Sequence, residues 1–140
     1  MAFGALAGLF MAIQGTLNTQ LSKAIGRVEA LLVVQAVGLL AAALLFFPLR
    51  LGGDGLLQLR QAPWYTLLGG VLGVAIVFTV VAAMSRLGIA TATTAILVAQ
   101  ILGAAAIDHF GLFGADRIPF SWFKLVGVGL FAAGARILLN

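Results

Sequence analysis

The sequence has no cysteine, one histidine and only four acidic residues among its 140 positions. Without cysteine there are no disulfides, no thiolate nucleophile and no Cys-ligated metal. With so few acids and one imidazole there is no metal-ligand spacing, no phosphate loop and no Ser, His and Asp set on one predicted surface. An enzyme is therefore not expected, and no cofactor or metal is implied. Charge of either sign is scarce: 9% of residues are charged and 63% are hydrophobic, with a mean hydropathy of +1.19. A soluble domain carries roughly a quarter charged residues. No water-soluble surface can be built from this composition, and the net charge of +4 reflects basic residues flanking membrane spans rather than a nucleic-acid partner.

Long apolar stretches fill most of the chain, over residues 2–21, 30–47, 64–84, 88–107 and 121–139. Each is close to the ~20 residues that cross ~30 Å of hydrocarbon as a helix. Barrel strands would be about half as long and would alternate polar with apolar, which these do not. Residues 1–22 carry no charged side chain and no clear small-residue cleavage pattern, so the first stretch reads as a retained helix. The expected fold is an all-α membrane protein, a single five-helix transmembrane domain over residues 1–140 in contact with the lipid bilayer.

The connections divide the basic residues evenly. Taking the side that bears the N-terminus as side A, Arg50, Arg60, Arg117 and Lys124 fall there, and Lys23, Arg27, Arg86 and Arg136 fall on the opposite side, side B. Orientation is set by an imbalance of Lys and Arg in short loops, so this chain lacks a strong instruction. Dual topology follows as an expectation: two copies, or this chain and an oppositely oriented homologue, paired antiparallel. The odd number of spans agrees, because inverted repeats hold their substrate site between two halves of opposite sense and five helices supply one half. No internal repeat is visible in the chain.

Polar side chains inside the spans are the best pointers to a site, since hydrocarbon makes them costly unless they face protein or water. Gln14 and Asn18 stand four apart and share a face of the first span; Gln35 lies in the second and Gln100 in the middle of the fourth. They read either as a neutral lining for a small polar solute or as amides that hold helices together. Gly69, Gly70 and Gly73 belong to a Gly-rich third span suited to close helix packing. Asp108 and His109 end the fourth span, where they could gate or relay a proton, or form an interfacial pair beside Asp116 and Arg117. Glu29 opens the second span as a first-turn acid. No Asp or Glu falls near the middle of any span.

Three segments together resemble the YdcZ-like family of small inner-membrane proteins, within the drug/metabolite transporter superfamily. They are Gln14-Gly15-Thr16-Leu17-Asn18-Thr19-Gln20-Leu21, Pro63-Trp64-Tyr65 with Leu68-Gly69-Gly70-Val71-Leu72-Gly73, and Gln100 with Ile107-Asp108-His109-Phe110-Gly111-Leu112-Phe113-Gly114. The resemblance implies a bacterial inner-membrane protein, multi-pass, with five helices equivalent to half of a ten-helix inverted-repeat transporter. It also implies that Gln14, Asn18, Gln100 and Asp108 match the family's motif positions. Ala99 stands where the family usually has Gly, Gln35 where an aromatic is more common, and Met84-Ser85-Arg86 where the turn usually contains Pro. The expected function is transport of a small polar or zwitterionic metabolite by alternating access, with Gln14, Asn18, Gln100 and Gln35 contacting substrate and Asp108 and His109 at a gate or boundary. Two alternatives stay open: a non-transporting assembly or regulatory subunit, and a cation-coupled multidrug exporter relying on Asp108 or Glu29.

Overall fold

A computed structural model describes residues 2–47, 54–119 and 121–138. Arg50, one of the residues counted for side A, lies outside them. Every regular element among the described residues is helical: α1 (Ala2–Ile25), α2 (Arg27–Phe46), α3 (Leu68–Leu87), α4 (Ile89–Phe110) and α5 (Trp122–Leu138), with short 3-10 segments at Asp54–Gln61, Trp64–Leu67 and Leu112–Gly114. Three stretches are long and apolar enough to cross a membrane, Arg27–Phe46, Trp64–Leu87 and Ile89–Phe110. α1 has the length, at 24 residues, but Gln14, Asn18, Gln20 and its hydroxyl residues dilute it. α5 is 17 residues long. Only 6 to 11% of the three long apolar stretches is buried within one copy, which leaves most of their surface for lipid or for another protein.

The chain forms two compact units, Met1–Ser85 and Arg86–Asn140. In the first, α1 packs on α2, and the buried residues of α1 are Gly15, Asn18, Thr19 and Ser22. Their spacing of i, i+3, i+4 and i+7 places them on one face. That face is small and polar while the apolar residues of α1 turn outward, the reverse of a soluble helix. The hydroxyls tolerate burial because they bond within their own helix: Thr19 Oγ1 donates to the Gly15 carbonyl at 2.7 Å and Ser22 Oγ to the Thr19 carbonyl at 2.9 Å. Small size permits close approach. A Cβ at Gly15 would stand 2.6 Å from Met84 Cε and 2.8 Å from its Sδ, so α3 occupies the space that a side chain would need.

A single residue joins α1 to α2. Gly26 has φ 97° and ψ 159°, a backbone region essentially closed to other residues, and the Glu29 carboxylate touches the position its Cβ would take. The Gly26 N–H donates to the Ser22 carbonyl at 3.0 Å, and the Gly26 carbonyl accepts from the N–H of Ala30 at 3.1 Å. Gly88, before α4, repeats the arrangement with φ 84° and ψ 164°, and its carbonyl accepts from the Ala92 N–H at 3.1 Å. Each glycine is followed four residues later by a buried alanine, Ala30 at 2% exposure and Ala92 at 0%. This local repeat, Gly-x-x-x-Ala at a helix start, is a structural echo that the sequence alone did not reveal.

In the second unit α4 packs on α5. α4 ends at Gly111 in the left-handed region, φ 63° and ψ 39°, with its N–H donating to the Ile107 carbonyl. The chain then folds back over the helix end: the Ile118 N–H donates to the Asp108 carbonyl at 2.8 Å and Arg117 Nε to the His109 carbonyl at 3.1 Å. A guanidinium on terminal carbonyls satisfies orphan acceptors and opposes the negative end of the helix dipole.

Candidate functional site

In the first unit Gln14 is exposed and Asn18 is buried, with 8% of its surface exposed. The two share a side of α1, but Asn18 stands within the packed face and Gln14 at its margin. Gln35 is half-buried on α2. Asn18 lines a narrow gap with no room for a water molecule. Ala30 and Val34 of α2, Val77, Phe78 and Val81 of α3, and Arg27 at the start of α2 complete its walls. Among the described residues no fully buried side-chain nitrogen or oxygen lacks a hydrogen-bond partner, and Arg27 is exposed.

In the second unit Gln100 is exposed at the middle of α4, and Asp108 and His109 are half-buried in its last turn. The His109 and Phe110 rings meet edge to face with centroids 4.9 Å apart. Asp108 lines an open cleft of about 420 Å³ whose walls, Ile101, Ala104 and Ala105 of α4 and Gly127, Val128 and Phe131 of α5, are otherwise apolar. Among the described residues, no three His, Cys, Asp or Glu side chains group in a way that could hold a metal ion.

The structure thus gathers Gln14, Asn18 and Gln35 in one unit and Gln100, Asp108 and His109 in the other. A Cβ added at Gly69, Gly70 or Gly73 would meet nothing within 4 Å, so these glycines line open surface in one copy. One residue escapes sequence reasoning. Gly15, the glycine that does admit a neighbour closely, belongs to the 15, 18, 19, 22 face, a spacing that could have been found by seeking small and polar rather than apolar periodicity.

The family model described as "Putative inner membrane exporter, YdcZ" matches residues 1–137. The inner membrane protein YdcZ of Escherichia coli strain K12 is 28% identical over 141 residues, an alignment covering 99% of this chain and 93% of that protein. No solved structure matches. With a match running almost end to end, over helices built for a bilayer, this chain belongs to the YdcZ family and is a multi-pass protein of the inner membrane.

Proposed function

We propose that this protein exports a small polar or zwitterionic solute by alternating access, as one half of an antiparallel pair. The observation that carries the reading is the exposure of Gln14 on α1 and of Gln100 at the middle of α4. A primary amide left in lipid is costly, so each of these faces is covered by another polypeptide or by a water-filled path. An oppositely oriented second copy supplies both, because inverted halves enclose a polar site near the midplane. The even division of basic residues allows that pairing, and the description of the matched family as an exporter supports the outward direction.

The test is flux in proteoliposomes loaded with a mixed pool of labelled metabolites, comparing wild type with Gln14→Ala and Asn18→Ala. Flux falls at least tenfold in both while folding and pair yield stay intact. Unchanged flux in both variants overturns the site. Lower thermal stability or pair yield with no change in flux identifies a non-transporting subunit instead.

A further inference from the structure

We infer that two copies pair through α4, with Gln100 of each copy on the two-fold axis, bonded to its own counterpart. The inference rests on the antiparallel pair proposed above and names its contact surface. Gln100 is exposed at the middle of the 22-residue α4, the level farthest from water on either side of a bilayer, where an unsatisfied amide is most costly. Leu97, Gly103 and Ala104, three or four residues away on the same side of the helix, are exposed with it. A Cβ at Gly103 would meet nothing within 4 Å, so a second backbone can come close. A two-fold axis in the membrane plane makes a residue face itself only at mid-depth; above and below, residue i faces residue j and j faces i. Gln100 stands at that level, and an amide suits it, because its NH2 group donates and its carbonyl accepts. Each of the two side chains thus donates to the other.

Charge complementarity selects a second copy in the opposite sense as the occupant of this face. In the unit Arg86–Asn140, α4 packs on α5 and runs opposite to it. Arg86 and Arg136 therefore fall at one end, with no acid, while Asp108 and Asp116 fall at the other, with Arg117 and Lys124. Two such units side by side in the same sense set basic end against basic end. Reversing one places each basic end beside the end that holds both acids. The first unit offers no such preference. Its sequence puts Lys23, Arg27 and Glu29 at one end and Arg50, Arg60 and Asp54 at the other, so the two ends are alike. Gln14, at the middle of α1, is thereby left for the solute path.

The test places single cysteines in the full chain, which has no native thiol, and oxidises them in intact membranes with a membrane-permeant oxidant. Oxidation traps pairs covalently, so it reads register even though cysteine lacks the amide's bonds. Gln100→Cys links to its own copy, because positions facing across the axis come within the ~4.4–6.8 Å Cα separation of a disulfide. Thr93→Cys and Ile107→Cys stand seven residues to either side on the same face. In the antiparallel register each lies about 21 Å along the axis from its own counterpart and links only when the two variants are co-expressed. Gln100→Leu lowers the yield of pairs by about threefold to thirtyfold and leaves the unfolding temperature of single copies unchanged. Self-linking at positions 93, 100 and 107 alike marks a parallel pair, and overturns both this inference and the antiparallel reading. Self-linking of Gln14→Cys with none at position 100 moves the contact to α1, which overturns the inference and leaves the antiparallel reading standing. No link at position 100, or Gln100→Leu at wild-type pair yield, also overturns it.

Discussion

At the scale of single residues, the distinction that matters is between glycines that admit a neighbour and glycines that merely leave space. Gly15 is of the first kind, with Met84 and Val80 where a side chain would stand. Gly15→Ala pushes against the flexible end of Met84, which yields, and its cost is offset by better helix propensity, worth about 1 kcal/mol. Gly15→Val has no such escape and is expected to destabilise by about 1–3 kcal/mol, measured by thermal unfolding in detergent. Gly73→Ala is expected to be neutral or slightly stabilising, because nothing lies near it in one copy, while Gly73→Leu lowers pair yield if that surface packs on a companion. Equal losses from Gly15→Val and Gly73→Leu in isolated copies would contradict the distinction. Spacing in the sequence pointed to Gly69 and Gly73 and passed over Gly15, because a glycine motif records what is small and not what lies opposite.

At the scale of elements, helix positions were legible in the sequence because hydropathy and length respond to the same bilayer thickness. Helix ends were less so. α1 runs on through Lys23 to Ile25 and α2 includes Arg27 and Glu29, since charged side chains at a membrane edge reach water while their backbone stays helical. The break falls instead at the glycine that takes a positive φ. Gly26→Ala is expected to cost about 1–3 kcal/mol from backbone strain, plus a further loss from contact with the Glu29 carboxylate. Gly88→Ala carries the strain alone, as its Cβ position is open. Adding Glu29→Ala to Gly26→Ala should therefore recover part of the stability, read as a coupling in a double-mutant cycle. Strict additivity would show that the carboxylate contact is irrelevant. By residue type, the end of α4 is an interfacial pair of Asp108 and His109 or a gate. What fixes it is the backbone, with Arg117 and Ile118 binding the two carbonyls, an arrangement invisible to residue type because any amino acid supplies a carbonyl.

At the scale of the whole molecule, the sequence speaks to class and location but not to partnership. Composition alone excludes solubility, and the even distribution of Lys and Arg raises the question of orientation without answering it. A single cysteine at Ala62, in a chain with no native thiol, answers it. Labelling by a membrane-impermeant maleimide from both sides of the membrane is expected if copies insert both ways, and labelling from one side only would rule out a dual-topology homodimer. The elements joined through Gly26 and Gly88 have a further practical consequence. Where one residue joins two helices, there is no extended, non-helical strip for a protease to seize and no room to accept an inserted tag. Reporters and affinity handles therefore belong near residues 54–63 or 111–119, and a digestion ladder from intact membranes should show cuts in those two stretches and none at Gly26 or Gly88.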